Sequence, residues 1–382
     1  MRTQNTLKVG LLGIDREGRG FGARAHIPGI KHAPGVELIA VCTRREESAK
    51  AAAEYYQIPR YYAGVNALLD DPDIDLINVA VRVRSHYPVV WEILRRGKHV
   101  YCEWPLGLNS QEAQTLVKLA REKNVITGVG NQGRFAPGTL YMRDLIEKGY
   151  IGQPLSFHLR QFLPRFTIRS DHWWSAMGVG EEHSGALGVA TGHLSNTLRT
   201  VLGEITRVAG LANTLKPHDR YEDTGEPFEW TAEDSVSFLA EMENGTTGTF
   251  HVSHLASVQM GFQFIVFGTG GQLVLTSPYN SNYSPLTLRG RKFSEGRPES
   301  GYHGVELEPQ GLEPLTIPSD YYWVDDLDES NTGHNLGQAM VAFRRAWEGG
   351  AAFRPSFEDG LRTHRLVQAL KTSSETRTWV DV

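Results

Sequence analysis

The chain has 382 residues, enough for two ordinary domains with substantial cores. Apolar residues make up 40% and charged residues 22%, the balance of a globular protein and not of a disordered one. A net charge of −5 with no Lys/Arg-rich stripe argues against nucleic acid as a direct ligand, and no apolar run reaches membrane-spanning length. The start MRTQNTLKVG has no hydrophobic signal core, so the expected location is the cytoplasm. Two cysteines, Cys42 and Cys102, fit a reducing compartment, and their spacing is not that of a metal site.

The first third alternates regularly. LKVGLLGI (7–14) reads as a strand, followed by a Gly-rich turn and a helical stretch from near Gly22. VELIAVCT (36–43) is a second strand, and EESAKAAAEYY (46–56) an Ala-rich helix. DLINVAV (75–81), the helix HYPVVWEILRRG (86–97) and the strand HVYCE (99–103) follow. The helix over 110–124 is introduced by Asn109, with Glu112 three residues on, and ITGVGNQ (126–132) supplies one more strand. Continuous apolar strands separated by helices predict a doubly wound parallel sheet covered on both faces, a Rossmann domain over 1–130.

After about residue 150 the pattern changes to period two. PLSFHLRQF, DSVSFLAEM and TTGTFHVSH alternate, with Asn244-Gly245 as a hairpin turn between the last two. GFQFIVFGTGGQLVLTS is a second hairpin around Gly268–Gly271, and one helix (186–202) precedes most of these strands. The stretch 278–333 reads as long loops, and LGQAMVAFRRAWEG (336–349) as an amphipathic helix with Leu336, Met340, Phe343 and Trp347 on one face; His334-Asn335 before it is a weaker site candidate, with helix capping as the alternative. Residues 131–382 are thus expected to form an α+β domain with a large, mainly antiparallel, open sheet. An uncovered sheet face predicts a homodimer or homotetramer.

The residues that could carry chemistry gather at strand ends. GIDREG keeps Gly13 and Gly18 of a G-x-G-x-x-G turn, with Asp15 at the middle position, where Arg16 or Arg19 could offset its charge. Strand two ends in Thr43-Arg44-Arg45 without a carboxylate for a ribose 2′-OH, which favours NADP over NAD. In a doubly wound sheet, ligands lie beyond the carboxyl ends of the strands, which places Val81, Arg82, Arg84, His86, Glu103 and Trp104 at one cleft. Gln132 and Arg134, after the last strand, are candidates for cofactor and substrate contact respectively. No spacing indicates a metal site.

GKHVYCEWPLG resembles the GKHVxxEKP strand end of the Gfo/Idh/MocA oxidoreductases. The likeness continues through ARAHIPGI, GNQGRFAPG, LIEKGYIGQP, EDSVSFLAEMENGTTGT, GTGGQLVL and EDGLRTHRLVQALKTS. It implies a nicotinamide cofactor, a sugar-like substrate and a second landmark helix, Asp-x-Gly-x-His-x-x-Asp. That helix matches Val189-Ala-Thr-Gly-His193-Leu-Ser-Asn196 here, so His193 is kept and both carboxylates are replaced. The motif lysine is replaced by Trp104, which cannot relay a proton. Expected catalytic residues are His193, Glu103 and Trp104, the indole shaping the pocket. Expected substrate contacts are Trp104, Arg134, Trp173, His183, His193 and Asn196, with His172 and Trp174 beside them. The Glu-Trp pair in place of Glu-Lys is similar to a branch that includes the fungal galactose-regulon repressor, which acts by binding proteins, and many oxidoreductase-like relatives. The expected activity is NAD(P)-dependent hydride transfer at a carbohydrate hydroxyl; the alternative is a non-catalytic dinucleotide-binding sensor. A cis Trp104–Pro105 bond is also expected.

Overall fold

The computed structural model describes residues 6–14, 18, 20–165, 178, 180, 184–293 and 311–382. Asp15, Arg16, Arg19, His172, Trp173, Trp174 and His183 lie outside the described residues. The chain divides into two compact units. One contains Met1–Phe135, Val179–Ser184 and Trp323–Gln368; the other contains Ala136–Gly178, Gly185–Tyr322 and Ala369–Val382.

The first unit is built on six parallel strands: β1 (Leu7–Leu12), β2 (Val36–Thr43), β3 (Arg60–Ala63), β4 (Leu76–Val79), β5 (His99–Glu103) and β6 (Thr127–Gly130). Their order is β3-β2-β1-β4-β5-β6, so the direction of strand addition reverses between β1 and β4. That reversal is the switch point of a doubly wound sheet. Helices α1 (Ile27–Lys31, continuing a π turn over Gly22–His26), α2 (Glu46–Tyr56), α3 (Val65–Leu69), α4 (His86–Arg95) and α5 (Ser110–Lys123) connect the strands. The α5 start forms as its sequence requires: Asn109 Oδ1 accepts from the Glu112 amide at 2.9 Å, and Glu112 Oε2 accepts from the Leu108 amide at 2.8 Å.

Two buried clusters lie on opposite faces of this sheet, as period-two strands dictate. One joins Ile77, Val79, Val100, Cys102 and Trp104 to Val90, Ile93 and Leu94 of α4 and Leu116 and Val117 of α5. The other joins Leu76, Val9, Leu11 and Tyr101 to Ile27 and Ile30 of α1 and to Leu336, Met340 and Phe343 of the helix His334–Trp347. The short strand β3 escaped the sequence reading. His334 and Asn335 belong to that helix itself and do not cap it from outside: both are buried, and His334 Nδ1 lies 2.7 Å from the Leu327 carbonyl.

The second unit carries helices α6 (Pro137–Glu147) and α7 (Gly192–Leu202) and a mixed nine-stranded sheet. Its strands are β7 (Pro154–Phe162), β8 (Ile205–Asn213), β11 (Ser235–Met242), β12 (Thr247–Ser253), β13 (Gly261–Gly268), β14 (Gly271–Ser277), β15 (Thr287–Lys292), β16 (Glu313–Pro314) and β17 (Val380–Asp381). β9 (His218–Arg220) and β10 (Pro227–Glu229) pair separately as a small arm. Pairings within the large sheet are antiparallel except β12 with β7. Both hairpins form as expected, β11–β12 through Asn244-Gly245 and β13–β14 through Thr269-Gly270. Gly245 takes a φ of 83°, which a side chain would resist. β15 corrects the reading of 278–333 as loops throughout. TLRGRK has no apolar alternation to announce it, and it is a strand because the edge of β14 offers it a partner.

Among the described residues, no helix is long and apolar enough to cross a membrane. Nor does any group of three or more His, Cys, Asp and Glu side chains suited to a metal ion occur among them.

Candidate functional site

The turn after β1 is shaped by two glycines. Gly13 has a φ of 98°, and a Cβ there would stand 2.4 Å from the Ala80 carbonyl oxygen at the end of β4. Its amide donates to the Cys42 carbonyl of β2 at 3.2 Å. Gly22 backs onto it: a Cβ at Gly22 would come within 2.1 Å of the Gly13 carbonyl oxygen. The helix therefore starts several residues later than the GIDREG spacing suggests, and Gly22, not Gly18, makes the close helix–strand approach that a pyrophosphate-binding turn needs. This cradle of main chain fits a dinucleotide phosphate.

At the end of β2, Thr43 Oγ1 donates to the Arg45 carbonyl at 2.8 Å and lies 2.6 Å from Ser48 Oγ, while Arg44 and Arg45 are exposed. The Cys42 thiol behind them is pushed up to about 11 by burial.

Strand β5 delivers the most organised polar cluster. Glu103 shares the Tyr101 face, which α1 and its π turn cover, so its carboxylate meets His26. His26 Nε2 lies 3.0 Å from Glu103 Oε1, and Gln132 Nε2 donates to both carboxylate oxygens, at 2.7 and 2.9 Å. Asn78 of β4 closes the chain from below, its Nδ2 3.2 Å from His26 Nδ1. His26 and Asn78 are wholly buried, and the Glu103 side chain is 12% exposed. His26 was missed by the sequence reading; it lies 77 positions from Glu103, and its only signal was membership of the ARAHIPGI stretch.

Trp104 points the other way. It is only 5% exposed and belongs to the apolar cluster of Cys102 and Leu106, with its ring centroid 4.6 Å from that of His364. The expectation that it shapes an open pocket is corrected by this placement: directly after β5 the ring packs into the apolar cluster on the Cys102 side of the sheet. Pro105 follows through a cis bond. His86 is 2% exposed, and both its ring nitrogens face main-chain carbonyls, Nδ1 that of Pro105 at 2.6 Å and Nε2 that of Val81 at 3.0 Å. Burial pushes its pKa down against those two bonds. A neutral ring has one N–H, so it donates to one of these carbonyls at a time; with both nitrogens turned to main chain, His86 lies between the end of β4 and the turn after β5.

Arg134, half-buried after β6, helps hold down Asp359. Burial alone would raise that carboxyl, but bonds from Arg354 and the Ser356 amide, with the charges of Arg354 and Arg134, bring it to about 2. Next to it, Gly360 lies against Val129 and Leu106, where a Cβ would meet their side chains at 3.0 and 3.3 Å.

In the second unit, His193 opens α7 and is half-buried, as is Val189 one turn earlier. Asn196 does not share that open face: it is 1% exposed, with Nδ2 3.5 Å from the Gly192 carbonyl. Ala186–Thr191 is a π-helical segment, which widens the turn before His193 and shifts the register that an α-helical reading assumes.

The model of an oxidoreductase family with an NAD-binding Rossmann fold, Gfo/Idh/MocA, matches residues 7–131, and that of the Gfo/Idh/MocA C-terminal domain matches 139–274. The dehydrogenase aclE of Aspergillus oryzae is 30% identical over 327 residues, covering 81% of this chain and 84% of that protein. Levoglucosan dehydrogenase of Pseudarthrobacter phenanthrenivorans is 25% identical over 364 residues, with 88% and 87% covered. A super-repressor mutant of Gal80p from Saccharomyces cerevisiae superimposes with a TM-score of 0.82 at 19% identity, covering 99% of this chain and 98% of that one.

Proposed function

Because the chain belongs to the Gfo/Idh/MocA oxidoreductase family, we propose that it is an NAD(P)-dependent oxidoreductase acting on a hydroxyl of a sugar, polyol or glycoside. The observation that carries this reading is the glycine-backed turn at the switch point of the parallel sheet, with Glu103 and Gln132 joined at neighbouring strand ends. A bound nicotinamide dinucleotide supplies the hydride acceptor. Gly13 and Gly22 let the main chain approach its pyrophosphate, and Glu103 and Gln132 present polar groups beyond β5 and β6. The Thr43 hydroxyl is already engaged with the Arg45 carbonyl and Ser48 Oγ, so preference for NADP rests on the exposed guanidinium groups of Arg44 and Arg45.

His193 is the acid/base of this reading: its half-buried ring takes the hydroxyl proton as hydride leaves the adjacent carbon. In the first unit, Arg134 is the proposed sugar contact. The likeness to a levoglucosan dehydrogenase supports a carbohydrate substrate, either in net oxidation or in transient oxidation within a redox-neutral reaction. The sheet face that exposes Leu211 and Leu239 supports a homodimer or homotetramer. A second reading, a dinucleotide-binding sensor acting through protein partners, is favoured by Trp104 in the place of the motif lysine and by Val189 and Asn196 in the places of two carboxylates.

The test is to incubate the purified protein with NAD+ or NADP+ and a panel of sugars, following absorbance of the reduced nicotinamide. Turnover that is lost in His193→Ala supports the enzyme. Dinucleotide binding with no turnover by any sugar moves the assignment to the sensor, and failure to bind either dinucleotide removes both.

A further inference from the structure

We propose that His26, oriented by Asn78, reserves one oxygen of Glu103 as the acceptor for a ligand hydroxyl. The proposal rests on the dinucleotide reading of the first unit and deepens it by naming the atom and what directs it.

The direction of each hydrogen bond follows from what each atom can do. Asn78 Nδ2 can only donate, and it lies 3.2 Å from His26 Nδ1 and 3.6 Å from Met340 Sδ, two acceptors on one amide nitrogen. His26 Nε2 faces a carboxylate oxygen, which can only accept, so the tautomer that fits carries its hydrogen on Nε2 and leaves Nδ1 to accept from Asn78. With Nδ1 accepting, the ring hydrogen sits on Nε2 and is aimed at Glu103 Oε1, 3.0 Å away. Gln132 donates to the same oxygen at 2.7 Å. Oε1 therefore faces two donors, the His26 N–H and the nearer branch of a Gln132 N–H shared between the two carboxylate oxygens. Oε2 accepts only the longer Gln132 bond of 2.9 Å and keeps one position.

The carboxylate is also held flat. Gly130 lies opposite Glu103 on β6, and a Cβ there would fall 2.5 Å from Oε1 and 2.6 Å from Oε2. The side chain thus rests on bare glycine backbone, pinned from one side by His26 and from another by Gln132. The Glu103 side chain keeps 12% of its surface exposed, so the pinned carboxylate is not sealed from a ligand. An acceptor-only oxygen selects a donor: a ribose or sugar hydroxyl fits, and a phosphate or carboxylate is repelled.

His26 is a positioning residue in this scheme, and shape separates that role from simple packing. A glutamine at 26 can reach the Nε2 position with its amide N–H, whereas an asparagine reaches only as far as Nδ1. Titrating the intact protein with NADH and with NADPH, by nicotinamide fluorescence, should show His26→Asn weakened about tenfold to a hundredfold. His26→Gln should bind within about threefold of the parent, and Gly130→Ala, which changes no polar group, should weaken binding as His26→Asn does. Thermal melts of all three identify any variant that loses the fold. Equal affinities for His26→Gln and His26→Asn, both folded, would overturn the proposal.

A second measurement needs no cofactor. Histidine nitrogen NMR of the ligand-free protein at mildly alkaline pH should show His26 protonated at Nε2 and bare at Nδ1, and the opposite tautomer would overturn the proposal. If the parent binds neither dinucleotide, the dinucleotide reading fails, while the tautomer still decides whether the relay runs from Asn78 to Glu103.

Discussion

Replacing Trp104 by lysine, the residue that the resembling strand ends carry, should cost stability without restoring catalysis. The indole is 5% exposed and sits in the same buried cluster as Cys102, Leu106, Val129, Phe357 and Leu361, against the His364 ring. Burying an aromatic side chain of this size removes roughly 200 Å² from water, worth about 5 kcal/mol at about 25 cal/mol per Å² as an upper figure. Truncating such a ring in a core costs about 3–5 kcal/mol in practice. A lysine stem recovers part of the contact area, but its ammonium must leave the cluster or stay desolvated. The expected net loss is about 3–4 kcal/mol. Urea unfolding followed by far-ultraviolet circular dichroism measures it, with Trp104→Phe as the conservative control, expected to lose about 1–2 kcal/mol. A Trp104→Lys protein within about 1 kcal/mol of the parent would refute the core placement. Hydride transfer gained by that variant would refute it more directly, because it would put position 104 beside the reacting atoms.

Two further outcomes are expected. Gly22→Ala should weaken binding of NADH or NADPH at least about tenfold in a fluorescence titration, because its methyl would collide with the Gly13 carbonyl and the main chain of the phosphate turn would have to move. In the second unit, burial is the main cause that lowers His254 from 6.5 to about 4, with the Asp234 charge opposing it and the Arg165 charge adding to it. A histidine kept neutral in this way contributes stability fully above about pH 6.5, and that contribution is lost as pH falls toward 4, a loss of about 3 kcal/mol at 1.36 kcal/mol per unit. Unfolding free energies at pH 7 and pH 4.5 should therefore converge by a large part of that amount in His254→Gln, and an unchanged pH dependence would contradict the neutral, buried ring.

How much was legible in the sequence depends on whether an element announces itself locally. The apolar run of β2, the Ala-rich α2 and the Asn109–Glu112 start of α5 carry their signals within a dozen residues, and they form where those signals stand. β3 does not. RYYA alternates half-buried and exposed residues, and its anchors, Arg60 and Tyr62 on Asp71 at 2.8 and 2.7 Å, exist only once the chain has folded. β15 is the same case at the edge of the other sheet, where partner availability outweighs composition. In the site, Glu103 was readable from its strand end, and His26 was not, because a lone histidine on a short helix carries no mark of the carboxylate it meets. The burial of Trp104 was not read: the sequence placed it at the cleft beside Glu103, whereas it packs on the Cys102 face of the sheet, opposite to Glu103.

That separation of faces also explains why binding and turnover can be separate properties of this chain. Glu103 and Trp104 are neighbours in sequence, yet one lies with Tyr101 on the face covered by α1 and the other with Cys102 on the opposite face. The hydrogen bonds from His26 and Gln132 to Glu103 involve no atom of residue 104. Exchanging lysine for tryptophan therefore leaves the carboxylate network intact while removing an amine that could exchange protons. A strand end of this kind can lose proton-transfer chemistry and keep a dinucleotide, or keep both if His193 suffices as acid/base. On the proposed reading the polar network serves binding, while the residue that makes the activity hard to read belongs to the core of the same unit.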